Sequence, residues 1–236
     1  MENTSSFQNI LSIDIGGSHV KATILNKDGA LTMDYQRVET PKPTTSENLL
    51  QTIQALTKSF PAFDCISAGF PGYVKDGVVI TAPNLDTSLW HNVDLKKLLS
   101  DALGKPAKVV NDADMQGLGV VNGKGFEIVV TLGTGFGTAL LMDGELLPHL
   151  EIAHHPIKKG VDYDQYIGEK TMLEIGDKKW NKRVMKVIEI LKTVFNYDHL
   201  YIGGGNAKKI NFDLDSNITI VSNKDGIKGG ARLWRT

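Results

Sequence analysis

Two small-residue turns and one Asn-Asp pair hold the residue types that could do chemistry. Asp14 stands two residues ahead of Gly16-Gly17-Ser18, and Gly133-Thr134-Gly135-Phe136-Gly137 makes a second such turn. Glycines leave backbone N–H groups approachable, and concave arrays of N–H dipoles favour phosphate oxygens. Ser18 and Thr134 add hydroxyl donors, and Lys21 adds a cation if the hairpin turns it to the same side. Asp14 then has a use at the lip of the first turn, because a carboxylate can hold a hydrated Mg²⁺ that bridges phosphates. The same glycines would also serve plain tight hairpins. A pair of such turns, only one led by an acid, is what favours phosphate. Two familiar alternatives are absent: there is no G-x-x-x-x-G-K-[ST] run, and Gly133–Gly137 lacks the spacing of a dinucleotide fingerprint. Asn111-Asp112 follows the strand-like run Ala107–Val110 and opens a helix-like stretch. On its own the pair reads as a helix cap, set at the carboxyl end of a strand, where α/β folds put ligands.

The elements that must position these residues come in two copies. "IDIGGSHVKATI" (13–24) aligns without a gap on "VTLGTGFGTALL" (130–141), with Asp14 on Thr131, Gly16 on Gly133 and Ala22 on Ala139. Each copy is a strand, a turn and a second strand, and each then reaches an Asp-Gly turn, Asp28-Gly29 and Asp143-Gly144. "FDCISAGFPG" (63–72) pairs in the same way with "YDHLYIGGGN" (197–206). Helical patterns lie between. Leu49, Leu50, Ile53 and Leu56 share one face, with Ser46 as the expected N-cap; Trp180, Val184, Val187, Ile188 and Leu191 share another. The expected fold class is therefore α/β, in two lobes with a ligand cleft between them. The expected lobes are residues 1–111, with about 222–236 packing back, and 112–221.

Bulk properties exclude several classes. The chain has 236 residues, 41% hydrophobic and 22% charged, which is ordinary for a globular protein and argues against disorder. A net charge of −1 argues against a broad nucleic-acid or membrane surface. The single cysteine, Cys65, excludes an intrachain disulfide framework or a multi-cysteine zinc site, and reads as a buried strand thiol. "MENTSSFQNI" lacks the build of a signal peptide and no apolar run is long enough to span a bilayer, so a cytoplasmic protein is expected.

At this point the motifs resemble a known family. "IDIGGSHVKATIL", "FPGYVKDGVV", "NDADMQG", "TLGTGFGTAL" and "YIGGGNAKK" occur in the order found in the ROK sugar kinases of the actin–hexokinase superfamily, nearest their polyphosphate glucokinase branch. The resemblance implies two actin-like (ribonuclease H-like) lobes and Mg-dependent phosphoryl transfer to a sugar hydroxyl, usually the 6-hydroxyl of glucose. It makes Asp112 the general base. It makes Asn84, Asn111, Glu151 and His154 sugar ligands, with Ala153 where the family usually has glycine. For a second sugar-binding carboxylate it offers Asp164, one methylene shorter than the family's glutamate, with Glu169 as competitor. Gly203, Gly204 and Gly205 resemble the family's adenosine-side glycines, with a helix expected from about Asn206 aimed at phosphate. The stretch after His154 has no cysteine, so the structural zinc of many relatives is not expected, in keeping with the polyphosphate branch. A homodimer is implied as well.

The donor stays open between ATP and polyphosphate. Lys178, Lys179, Lys182, Arg183 and Lys186 form a basic helix face that could attract a polyphosphate chain or simply face solvent. Rival readings are a kinase for another hexose or an N-acetylhexosamine, a sugar-responsive repressor, and a non-catalytic sugar-binding sensor. The repressor would carry an added N-terminal DNA-binding module, and with only about ten residues ahead of the first strand that reading is the weaker expectation. Retention of both Asp14 and Asp112 speaks against the sensor.

Overall fold

The computed structural model describes residues 7–222 and 226–235. Residues 1–6, most of the stretch read for a signal peptide, lie outside the described residues, as do 223–225 and 236 of the segment expected to pack back. The described residues form two compact units: those up to Gly119 together with those from Gly226 on, and those from Val120 onward.

In the first unit the strands are β1 (Asn9–Ile15), β2 (His19–Asn26), β3 (Gln36–Glu39), β4 (Cys65–Phe70) and, after three short strands, β8 (Ala107–Asn111). The short ones, β5 (Val74–Lys75), β6 (Val78–Val79) and β7 (Val93–Asp94), make a small sheet of their own. Helices α1 (Ser46–Thr57), α2 (Thr87–Trp90), α3 (Leu95–Leu103) and α4 (Asp112–Val120) complete this part. The main sheet has the order β3-β2-β1-β4-β8. Leu11, Ile13 and Ile15 pack with Ile66, Ala68 and Phe70 against Leu49 and Ile53 of α1. The opposite face is buried too. Ile10, Leu25 and Cys65 meet Ala231 and Trp234, and helix α8 (Gly229–Arg232) lies there. Ser12 and Ser67, paired across β1 and β4, donate to the carbonyls of Ile227 and Gly230 at 2.9 and 2.6 Å. Burial on both faces explains why these strands read as apolar runs rather than alternations. It also pushes the Cys65 thiol up to about 12, as expected of a buried thiol with no chemistry.

The second unit repeats this plan. Its strands are β9 (Phe126–Leu132), β10 (Phe136–Met142), β11 (Glu145–Leu146), β12 (Pro156–Lys158), β13 (Val161–Asp162), β14 (His199–Gly203) and β15 (Ile218–Ile220). The main sheet runs β11-β10-β9-β14-β15, and α5 (Tyr163–Ile167), α6 (Glu169–Ile175) and α7 (Asp177–Phe195) pack on one face. In both units an antiparallel hairpin is extended by a parallel strand. The register agrees with the internal alignment: Asp14 pairs with Gly69, and their aligned counterparts Thr131 and Gly203 pair likewise. Asp64 accepts from Asn9 N at 2.9 Å, and its counterpart Asp198 accepts from Phe126 N at 2.7 Å.

Four expectations are corrected. The gapless alignment fails past the first turn: Ile15 pairs with Val20, whereas Leu132 pairs with Phe136, so the second loop is shorter by one residue. Ala22 therefore corresponds to Thr138 and not to Ala139, because a slip of one would reverse the buried face. Thr45, not Ser46, caps α1, accepting from Asn48 N at 3.2 Å. Only a three-residue 3₁₀ turn, Ala207–Lys209, follows Asn206, where a helix was expected; Asn181 Oδ1 takes Asn211 N at 2.9 Å and leads the chain away. The division falls after Gly119 rather than after Asn111. Helix α4 is packed on the first unit, where a Cβ on Gly69 would meet Asp112 Cα at 3.2 Å.

Candidate active site

In the first unit the rim at the carboxyl ends of the parallel strands gathers several of the expected residues. Asp14, next to last in β1, pairs with Gly69 of β4, whose missing side chain makes room for Asp112 at the start of α4. Lys21 faces Asp14 across the hairpin, Nζ to Oδ2 at 3.0 Å, with the two side chains 37% and 22% exposed. The lysine therefore turns to the acid's side of the sheet. The loop between them is strapped: Gly16 N donates to His19 O at 2.9 Å, and Thr40 Oγ1 donates to Gly16 O at 2.6 Å. Gly17 and Ser18 remain exposed. A Cβ on Gly17 would come within 3.9 Å of Asn84, which is exposed beside the loop. Trp90 below is buried on Phe70 and donates Nε1–H to Thr44 O at 2.9 Å.

The Asn-Asp pair divides its labour. Asn111 is buried, donates Nδ2–H to Gly72 O at 3.0 Å and accepts Ala113 N at 2.8 Å, so it is the cap that the pair suggested. Both ends of its side chain are engaged in structure. Asp112 is half-buried and also accepts Ala113 N, at 2.9 Å.

In the second unit the two glycine stretches lie against each other. Gly204 has φ +90°, and a Cβ there would meet Leu132 O at 2.2 Å, so backbone fills the place of a side chain. Asn206 N donates to Leu132 O at 2.9 Å, and Asn206 Nδ2 to Gly133 O at 3.4 Å. Glu169 N donates to Gly133 O at 3.1 Å, so the start of α6 fixes the same loop. Thr134 stays exposed; Gly135 and Gly137 are half-buried. A cavity of about 420 Å³ opens beside Gly204 and Gly205, lined further by Ala207, Lys208, Ile220, Val221 and Ser222.

Glu151 is the N-cap residue and His154 the last residue of a one-turn 3₁₀ helix (Ile152–His154) that brings both side chains to one side, with His154 Nε2 4.0 Å from Glu151 Oε2. Ala153, in place of the family's glycine, puts its methyl into the core. Asp164 joins them from α5. It accepts Phe136 N from the glycine hairpin, and a Cβ on Gly135 would strike its carboxylate at 2.4 Å. Burial raises the Asp164 carboxyl above the usual range against the pull of the Phe136 N–H, with His154, Asp162 and Glu151 as charged neighbours. Glu169, the competitor, has its side chain exposed. Glu151 is shifted the other way: the imidazole of His149 holds its carboxyl below the ordinary range. Sequence reasoning missed His149 and Asp162, which stands 3.7 Å from His154 Nδ1. Their only signal was lying within a few residues of Glu151 and Asp164.

On α7, Lys178, Lys179, Lys182 and Lys186 are exposed, while Arg183 is turned inward over the Tyr166 ring, 4.6 Å from its centre, and donates to Tyr166 O at 3.0 Å. Among the described residues, no three or more His, Cys, Asp or Glu side chains could together hold a metal, and no helix is long and apolar enough to cross a membrane.

Residues 10–154 match the ROK family. Polyphosphate glucokinase of Mycobacterium leprae (strain TN) is 31% identical over 216 residues, 87% of this chain and 66% of its own length. That of Mycobacterium tuberculosis (strain H37Ra) is 31% identical over 208 residues, 84% of this chain and 77% of its own. The crystal structure of the inorganic polyphosphate/ATP-glucomannokinase from Arthrobacter sp. strain KM superposes with a TM-score of 0.87 at 31% identity, covering 96% of this chain and 98% of that one. A ROK family glucokinase from Streptomyces griseus, in complex with glucose and AMPPNP, shares the fold at a TM-score of 0.76 and 19% identity over 95% and 98% of the two chains. The chain belongs to the ROK family, and it is a sugar kinase of the hexokinase type.

Proposed function

We propose that this kinase transfers a phosphoryl group from ATP or polyphosphate to the 6-hydroxyl of glucose, with Asp112 as general base. The observation that carries the reading is the division of labour in the Asn-Asp pair. Asn111 does the capping, so the carboxylate beside it is not needed for that task and stands at a strand end with Asp14 on the same rim. A carboxylate so placed can take the hydroxyl proton as the phosphoryl group passes across, while positioning and charge neutralisation supply most of the rate. Glu151, His154 and Asn84 bind the sugar hydroxyls, and Asp164 adds its second oxygen while the first stays on Phe136 N. Asn111 supports the base rather than touching sugar.

Asp14 fits Mg²⁺. Its carboxylate is partly exposed and keeps one oxygen clear of Lys21. Mg²⁺ binds through one or two carboxylates, waters and substrate phosphates rather than in a protein cage. When bound, the ion would neutralise charge on the donor phosphates. Gly16–Ser18, Lys21, Gly133–Gly135 and Gly137 receive phosphates, and the Gly204–Gly205 cavity receives the rest of a nucleotide. A homodimer and a cytoplasmic location belong to the same reading.

The test is a coupled assay with Mg²⁺ that crosses glucose, mannose and N-acetylhexosamines with ATP and polyphosphate. Asp112→Asn should lower turnover about 10²–10⁴-fold and leave glucose affinity within a few-fold; turnover like the parent's would remove Asp112 from its role. A second reading, phosphorylation of another hexose, is favoured by the short Asp164. It would show as a higher kcat/KM for that sugar in the same grid.

A further inference from the structure

Glu151 has a neighbour that none of the motifs accounts for. His149, two residues earlier, has a side chain only 7% exposed, and its Nε2 stands 3.4 Å from Glu151 Oε1. That oxygen is buried, and the His149 imidazole is the group that faces it and favours its charge. On the other side Glu151 Oε2 looks to His154, and His154 Nδ1 looks to Asp162. Asp162 is fixed in turn as the N-cap of α5, accepting Gln165 N at 2.7 Å. Acids and imidazoles thus alternate along His149, Glu151, His154 and Asp162, with the buried histidine at one end and the half-exposed histidine in the middle.

We propose that His149 is a positioning residue for sugar recognition, holding the Glu151 carboxylate in the orientation that accepts hydrogen bonds from sugar hydroxyls. The inference rests on the reading of Glu151 as a sugar ligand. A carboxylate accepts two hydroxyls well only when it is ionised and does not swing between rotamers, and a side chain that must first be ordered binds more weakly. His149 serves both needs. It anchors one oxygen from inside the unit, and it favours the ionised form of Glu151. The other titratable groups around Glu151 are His154, Asp162 and Asp164. Burial is what works against the ionised form of Glu151, with His154 helping the other way, so His149 offsets the cost of keeping a carboxylate partly out of water.

The experiment uses the full chain with His149→Phe, His149→Gln and Glu151→Gln. Glucose affinity is read by calorimetry, and the KM for glucose and for ATP by the coupled assay. His149→Phe should weaken glucose about tenfold in Kd and KM, while the KM for ATP stays within about twofold. His149→Gln, whose Nε2 reaches the same place, should recover most of that loss. Glucose binding by the parent weakens as pH falls and Glu151 takes up a proton; in His149→Phe the weakening should begin at higher pH. An unchanged glucose Kd in His149→Phe overturns the inference. So does an equal loss in the Phe and Gln variants, failure of both to fold included, because the imidazole would then only fill space. Glu151→Gln separates the two readings. If it leaves glucose binding intact, the role of Glu151 falls and the inference with it; if it weakens glucose and His149→Phe does not, the inference alone falls.

Discussion

The two glycine hairpins share a plan and differ at the mouth. In the first, Asp14 pairs with Lys21; in the second, the same register places Thr131 opposite Gly137. One hairpin presents a charge pair beside an exposed Gly-Ser turn, the other an uncharged stretch of backbone. Their anchoring differs as well. The first is strapped by a neutral hydroxyl, Thr40, whereas the second is held by Asp164, by the start of α6 and by Asn206. Duplication supplied one scaffold twice. The charge pair sits on the copy with the longer loop, and the copy with the shorter loop is tied to Asp164.

Exchanging or removing the features that differ would break this comparison. The largest effect is expected at Asp14. Asp14→Ala should cut kcat about 10²–10³-fold and raise the Mg²⁺ needed for half-maximal rate, with glucose affinity held within a few-fold. If glucose affinity collapses and donor use does not, the first hairpin is not the phosphate side. Next comes Gly204, whose counterpart in the first unit is the buried Phe70. Gly204→Ala drives a methyl into Leu132 O at a left-handed φ and should cost about 3 kcal/mol. The loss of amide-exchange protection should be confined to the second unit, and a melting curve like the parent's would refute the close approach.

The smallest effect sharpens the contrast in anchors. Burial raises Asp164, so the folded state holds this proton more tightly than the unfolded state does. The penalty for ionising it in place is fully present above the folded pKa and is gone once pH lies below the unfolded value. Asp164→Asn keeps an oxygen for Phe136 N. It should raise the thermal midpoint by about 2–4 °C at pH 7, allowing for its partial exposure, and the gain should close as pH falls towards 4. A gain that is constant with pH would mean that the charge is not what differs.

Much of this was legible in the sequence because it is local or periodic. The apolar faces of α1 and α7, the strand-to-helix junction at Asn111-Asp112 and the order of the repeated blocks all stand where the pattern puts them. The loop shortened by one residue was not legible, because glycines align equally well in either register and only cross-strand pairing decides. Thr45 and Ser46 are both good caps, and what chooses between them is which residue takes the extended backbone angle, Thr45 here, which composition does not reveal. The Asn206 turn failed to extend because its side chain and the chain beyond it are bonded to Gly133 and Asn181, partners distant in sequence. His149 and Asp162 show their roles only where a buried imidazole and a capping carboxylate meet the same pair.

The segment from Gly226 on lies across the first unit's sheet, held at Ser12 and Ser67 and by Lys108 on Leu233 O at 2.6 Å. A ribosome delivers the second unit as one unbroken stretch. The first must wait with part of its sheet uncovered until residues more than a hundred positions further on have been synthesised. The usual order, in which the earlier domain finishes first, is therefore reversed here. The half of the enzyme that carries Asp14 and Asp112 is the last to be assembled.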